Sequence, residues 1–173
     1  EDRIIKGTIV STVMSNLGLN RYLKTLGIKL HRTAVGDRYV VEAMRQKGLN
    51  IGGEKSGHIV MTDHATTGDG ILAALHFISI LHGSGVKASS LLTAFQPIPQ
   101  QLVNITFNSL QDPLENHDVK NLLRECESRL GKSGEMIVRK SGTESVIRIM
   151  IQHDDEALVS SIVRKISSKI GGL

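Results

Sequence analysis

Two short polar segments in this chain combine side-chain types that can recognise phosphate and hydroxyl groups. The sharper is Arg139-Lys140-Ser141-Gly142-Thr143-Glu144, bracketed by the apolar runs 135–138 and 146–151. Arg139 offers a planar fork for bidentate phosphate contact, Ser141 and Thr143 add hydroxyl donors, and Gly142 lets backbone N–H groups turn toward one point. Such convergence makes an anion pocket. Arg148 lies in the second apolar run, where strand alternation can direct it to the loop side and reinforce that pocket. The same residues also fit a plain β-turn whose Arg139 pairs with Glu144 on the surface, because short motifs recur by chance.

The second segment is Gly53-Glu54-Lys55-Ser56-Gly57-His58, a carboxylate, a hydroxyl and an imidazole held between glycines. An ionised carboxylate only accepts, so Glu54 can receive hydrogen bonds from two neighbouring sugar hydroxyls, with Ser56 and His58 completing the polar set. A hairpin loop with Glu54 and Lys55 solvated and His58 opening a strand is the alternative. Two further polar turns read as helix starts: Asp37 as a cap with Arg38 facing outward, and Asp69 as the initiator of a helix from 70 onward. Neither receives a catalytic role. Metal sites are poorly supported, since His58 and His64 fall on different elements and His153-Asp154-Asp155-Glu156 reads as a charged helix start. No Walker loop, no strand followed by GxGxxG and no nucleophile elbow is present. The other six histidines read as solvated or satisfied within the fold.

The elements that must hold these loops follow from periodicity. Ile4–Met14 reads as a strand running into a cap at Ser15-Asn16, then a helix over 17–26 stopped by Gly27, a strand over 28–33, and a helix over 38–47 stopped by Gly48. Short strands at 49–51 and 58–61 flank the Glu54 loop. A helix follows with Ile71, Leu72, Leu75, Ile78 and Leu81 as its apolar face. Gln96–Gln100 holds two of the three prolines in the chain and interrupts both periodicities, so the domain linker belongs there. Beyond it, a strand over 102–107, a helix face of Val119, Leu122, Leu123, Cys126 and Leu130, strands at 135–138 and 146–151, and a last helix with Leu158, Ile162, Ile166 and Ile170 on one stripe make a β-α-β-β-α sandwich. The expected fold is therefore α/β plus α+β: a small layered α/β domain over 1–95 and a β-α-β-β-α domain over 101–173.

Composition narrows the classes. The 173 residues include one cysteine, so no internal disulfide scaffold is available, and no apolar stretch approaches a membrane span. Residues 1–15 open acidic, without the basic and apolar regions of a secretory signal, so a cytoplasmic setting is expected. The net charge of +4 is concentrated early: residues 1–95 hold 11 Lys+Arg against 7 Asp+Glu, and the remainder 10 of each. With only 3% aromatics and no Trp, stacking platforms for single-stranded nucleic acid are scarce, and a small anionic ligand suits the charge better. Neither nucleic acid nor a membrane is an expected partner.

Taken together, the residues resemble the carboxy-terminal half of the bacterial phosphoglucosamine mutases, within the α-D-phosphohexomutase superfamily. The matching pieces are Thr12–Leu19, Val35-Gly36-Asp37-Arg38-Tyr39-Val40, Gly53–His58, Thr67-Gly68-Asp69-Gly70, and Arg139–Glu144 with Arg148, in family order across nearly the whole chain. The resemblance implies four domains in the complete enzyme, of which this chain is the third, for sugar recognition, and the fourth, a phosphate-binding domain with a TATA-box-binding-protein-like fold. It implies that Glu54, Ser56 and His58 contact hexose hydroxyls, and that Arg139, Ser141, Gly142, Thr143 and Arg148 hold the phosphate that is not reacting. Family members interconvert 6-phospho and 1-phospho sugars through a bisphosphorylated intermediate that reorients.

The resemblance also implies what must lie elsewhere. The family's phosphoserine nucleophile and its Asp-Gly-Asp-x-Asp-Arg magnesium loop belong to the first two domains, and no Asp-x-Asp pattern occurs in this sequence. This chain alone is therefore expected to be inactive, with no catalytic or metal residues of its own. Its expected partners are a phosphohexosamine substrate and the missing amino-terminal domains; a homodimer is left open. Two departures bear on substrate choice: Lys55 replaces a usually uncharged polar residue and Ser145 a usual proline. Ala34 stands where relatives often have lysine, which weakens the phosphate attraction expected of the first domain, with Arg32 and Arg38 as the candidates to compensate. The alternatives are a phosphomannomutase/phosphoglucomutase half and a non-catalytic phosphosugar-binding module; an RNA-binding protein fits least.

Overall fold

Thr8–Thr12 (β1) is built from β-branched and hydroxyl residues, and alternation divides them between two faces. Val10 and Gly52 face α2 (Asp37–Lys47), while Ile9, Ser11 and Ile51 face the other side, where α1 (Leu17–Thr25) and α3 (Gly70–Ser84) lie. These elements belong to the first of two units in the computed structural model, Glu1–Pro97 and Ile98–Leu173. The structure describes residues 4–108, 112–141 and 144–172. With β2 (Lys29–Thr33), β3 (Ile51–Gly53) and β4 (Ile59–Met61), the sheet order is β2-β1-β3-β4. β1 runs parallel to β2 and β3, and β4 closes antiparallel on β3.

The core of this unit is Val10, Val40, Ala43, Met44, Leu49 and Val60, all buried where α2 crosses the sheet. Gly48, at φ +61°, ends α2 in the left-handed conformation expected of a C-terminal glycine. Asn16 caps α1 by accepting from the Gly18 N–H at 2.8 Å. The expected strand at 49–51 begins instead at Ile51. Leu49 folds back into the core through its N–H to Met44 O, and Asn50 accepts from the Ile5 N–H while donating to Asp63. A short helix, α4 (Ala88–Leu92), was not signalled by periodicity.

The second unit carries a three-stranded antiparallel sheet, β5 (Gln100–Thr106), β6 (Glu135–Lys140) and β7 (Val146–Gln152), in the order β5-β7-β6. One face packs on α5 (His117–Leu130) and α6 (Glu156–Gly171) through Ile147, Ile149 and Ile151 of the central strand. Asn116 caps α5, and Asp155 caps α6 by accepting from the Ala157 and Leu158 N–H groups. β5 starts at Gln100, paired with Gln152, so its first residue lies within the segment expected to be linker. Cys126 is fully buried beneath this sheet, and burial pushes its thiol pKa upward.

Gly52 sets how closely α2 approaches the sheet: a Cβ there would stand 2.6 Å from Met44 Sδ and 2.7 Å from Val40 Cγ1. Overpacking of this kind costs about 1–3 kcal/mol. Gly52→Ala is expected to lower the unfolding free energy of the first unit by that amount in a urea titration, and an unchanged free energy would show that α2 is free to shift.

Candidate functional site

In open α/β sheets, ligands bind beyond the carboxyl ends of the strands. Three loops meet at that end: Val13–Asn16 after β1, Ala34–Gly36 after β2, and Glu54–Gly57 after β3. The last is a tight hairpin loop, in which Glu54 N–H donates to His58 O at 2.9 Å and Gly57, at φ +105°, donates to Glu54 O. Gly53 is required by the close crossing of the strands, because a Cβ there would lie 2.7 Å from His58 O.

Within this loop Glu54 is neither solvated nor free to rotate. Its side chain is 9% exposed, and Oε1 accepts from the Gly36 N–H at 3.0 Å. Oε2 stands 3.7 Å from His58 Nδ1, and Ser56 Oγ lies 3.2 Å from the same nitrogen. The three candidate residues of this loop are thus brought together. One carboxylate oxygen is already engaged by the Gly36 N–H, whereas the expected contact with two hydroxyls needs both. His58 keeps a 55% exposed ring.

The Glu54 loop opens onto a cavity of about 400 Å³ whose polar lining includes Ser11, Ser15, Asn16, Glu54, Lys55 and His58. Ile9, Ile51 and Phe95 form part of its apolar wall. Ser15 Oγ lies 2.6 Å from Ser11 Oγ, which donates to Gly53 O at 2.7 Å, so two buried hydroxyls brace the loop from beneath. Sequence reasoning did not single out Ser11, Ser15 or Gly36 as site residues. The available signal was topological: all three sit at or beyond the ends of parallel strands.

Asp37 does not cap α2, contrary to expectation. Gly36, at φ +133°, occupies the cap position, a backbone state side chains resist; Asp37 is the first helical residue and accepts from Arg38 N–H at 2.7 Å. Asp69 does cap α3, accepting from Leu72 N–H at 2.9 Å. Neither candidate substitute for the lysine replaced by Ala34 points freely at a ligand. Arg32 donates to Val13 O, and Arg38 lies over the Tyr39 ring, 4.5 Å from its centroid.

The second candidate loop joins β6 to β7. Arg139 and Arg148 are direct cross-strand partners, so their side chains leave the sheet on the same face, opposite the one packed on α5 and α6. Glu144 pairs with Arg148, at 3.4 Å, so the surface-turn alternative with an Arg139–Glu144 pair is not what forms. Arg148 Nε is buried without a hydrogen-bond partner among the described residues. Lys140 turns to the other face, where it meets Asp112 at 3.0 Å and lies 5.4 Å from the Phe107 ring centroid. Ser141 is buried, and its N–H donates to Val146 O at 2.8 Å. Gly142 and Thr143 lie outside the described residues.

Comparison with known proteins places this geometry. The family model for phosphoglucomutase/phosphomannomutase, alpha/beta/alpha domain III, matches residues 1–98. The chain belongs to this family. The family's C-terminal domain model matches residues 102–169. Curated relatives named phosphoglucosamine mutase are 52% identical over 170 residues in Cereibacter sphaeroides and 54% over 162 in Parvibaculum lavamentivorans. Those matches cover 98% and 94% of this chain but only 38% and 36% of the relatives. Among solved structures, Aspergillus fumigatus N-acetylphosphoglucosamine mutase superposes with a TM-score of 0.78 at 18% identity, over 95% of this chain and 38% of that one. An N-acetylglucosamine-phosphate mutase of the alpha-D-phosphohexomutase superfamily, in its substrate complex, gives 0.71 at 18% over 93% and 38%. At such identities these structures establish the shared mixed α/β fold.

Two outcomes follow from the second loop. Like charges directly opposite on a sheet cost about 0.2–1 kcal/mol, so Arg139→Gln is expected to raise the stability of the second unit by that amount at low salt. The gain should shrink in 0.5 M NaCl; a loss of stability at low salt would show that Arg139 is already paired. Asp112 has its carboxyl pKa lowered below the ordinary 3.8, first by the Leu114 N–H and then by Lys140. Its stabilisation is present above that ordinary value and is lost as pH falls through the depressed one. Acid titration of Asp112→Asn should therefore lack that share of the decline below about pH 4.

Proposed function

We propose that this chain is the sugar- and phosphate-holding part of a phosphoglucosamine mutase, which interconverts glucosamine 6-phosphate and glucosamine 1-phosphate. The observation that carries the reading is the relatives of that name at about half identity along nearly the whole chain. The two loops supply chemistry suited to it. Glu54, Ser56 and His58 accept from and donate to ring hydroxyls, while Arg139 and Arg148, with Ser141, Gly142 and Thr143, neutralise the phosphate that is not transferred. Residues 1–95 serve as the sugar-recognition domain and residues 101–173 as the phosphate-binding domain.

In the proposed cycle, an enzyme phosphoserine outside this chain gives its phosphoryl group to the free hydroxyl of the sugar phosphate, forming a bisphosphate. The bisphosphate reverses in the site and returns the other phosphoryl group to the serine. Both ends of the sugar must therefore fit the same loops in turn. This favours a point-like carboxylate and a symmetrical cationic pair over a pocket moulded to one orientation. Positioning is a large share of phosphoryl-transfer catalysis but does not replace the donor.

Magnesium accompanies GlcNAc-6P in one Aspergillus fumigatus relative. Here, no group of three or more His, Cys, Asp or Glu side chains stands together among the described residues, so these residues do not fit a divalent site. No step is assigned through the metal on this chain. No described helix is long and apolar enough to cross a membrane, and the proposed setting is the cytoplasm, where sugar phosphates reside.

A phosphomannomutase/phosphoglucomutase reading is kept alive by one observation, the charged Lys55 in the loop that faces the sugar. The full-length protein separates the two: it should turn over glucosamine 6-phosphate with higher kcat/KM than mannose or glucose phosphates, and the reverse order would transfer the assignment. Hydrogen bonds to charged groups are worth about 1.5–3 kcal/mol. In that protein, Glu54→Ala and Arg139→Ala should each lower kcat/KM by about 10- to 150-fold. The 173-residue chain alone should show no turnover.

A further inference from the structure

The helix α3 has the composition of an interior helix and the exposure of a surface one. Its fifteen residues, GILAALHFISILHGS, include no Lys, Arg, Asp or Glu. The other long helices each carry charges on their outer sides, as in DRYVVEAMRQK of α2. A helix that is apolar all round belongs in a core. Here only one side is used. Leu72, Ala73, His76, Phe77 and Leu81 are half-buried. His76 meets His64 with ring centroids 4.6 Å apart, fixing which side of the helix is seated.

The opposite side is left open. Ile71, Leu75 and Ile78, spaced i, i+4, i+7, are 77%, 59% and 58% exposed. Single exposed apolar residues are ordinary, but a continuous uncharged stripe on a helix marks a contact surface. The absence of charge along the helix points to an apolar, permanent contact of the kind found in obligate interfaces.

We propose that the Ile71–Leu75–Ile78 stripe is the seat on which the remainder of the full-length protein packs. This inference rests on the proposed function, which supplies the occupant. The matched relatives extend well beyond the match, with 62% of their length outside it (100 − 38). A segment tethered to the same chain meets the stripe at a high effective concentration, an advantage that a second copy lacks.

The test uses the full-length protein with Leu75→p-benzoylphenylalanine, photolysed in a mixture of isotope-labelled and unlabelled copies and mapped by mass spectrometry. The expected adduct joins Leu75's position to a peptide from outside these 173 residues, within one copy. An adduct to a second copy, an adduct within these 173 residues, or quenching by water alone each overturns the proposal. Hydrogen exchange on unmodified protein checks it independently of that variant. Amides of residues 71–78 should exchange at least about tenfold more slowly in the full-length protein than in the 173-residue chain, with the amides of β1 equally protected in both as the control for folding, and equal rates at 71–78 overturn the proposal. Activity on glucosamine 6-phosphate is measured on the same unmodified full-length sample. Protection without that activity leaves the docking surface standing and removes the functional reading; activity without protection does the opposite.

Discussion

Two guanidinium groups facing each other across β6 and β7 are the constraint around which the second unit's chemistry is arranged. The antiparallel register puts Arg139 and Arg148 side by side on one face, while the alternate residues Ile147, Ile149 and Ile151 are committed to the helices behind. A one-residue slip would exchange these sets, burying charge and exposing the core, so the burial of three isoleucines holds the two cations together. Glu144 reaches only Arg148, at 3.4 Å, and one Arg148 nitrogen stays buried and unpartnered among the described residues. Such a pair is poorly satisfied among the described residues. In the function proposed above, a dianion with several acceptor oxygens relieves the repulsion and completes the hydrogen bonds in one step.

The first unit solves a different problem with the opposite charge. A carboxylate that must be kept in one orientation has to be tied down without being neutralised by a strong cation. The N–H of Gly36, from the loop after β2, takes one oxygen of Glu54 and leaves the other beside His58. Two glycines make this possible. Gly36 adopts a backbone state that side chains resist, and Gly53 lets β3 and β4 approach closely enough to form the hairpin. Ser11 and Ser15 brace the loop from below, so its conformation is fixed before any ligand arrives. Preorganisation of this kind avoids an ordering cost on binding.

Much of this was legible because the relevant signals are local. Alternation in residues 146–151 and the stripe of Leu158, Ile162, Ile166 and Ile170 mark a strand and a helix without reference to anything distant. The Glu54 loop and the Arg139 loop stand out because glycine, charge and hydroxyl occur between apolar runs. What was not legible depends on tertiary contact. No pattern announces that Gly36 rather than Asp37 ends the turn before α2, since the choice is decided by the carboxylate arriving from β3. Leu49 looks like the start of a strand until α2 closes over it. Ser11 and Ser15 are ordinary small residues in sequence and become part of a site only where parallel strands end together.

The reading of α3 fails in a way that has its own physical content. Periodicity assigned Ile71, Leu72, Leu75, Ile78 and Leu81 to one buried face, yet Ile71, Leu75 and Ile78 point to solvent, while Ala73, His76 and Phe77 join Leu72 and Leu81 in the half-buried set. A helix that is polar on one side names its own inner face; a helix that is apolar on every side does not, because any stripe satisfies the template equally well. The ambiguity is therefore a property of a helix with two apolar faces rather than an accident of spacing. Selection tolerates such a surface where both faces are covered. The second cover is the natural counterpart of a chain that spans little more than a third of its relatives' length.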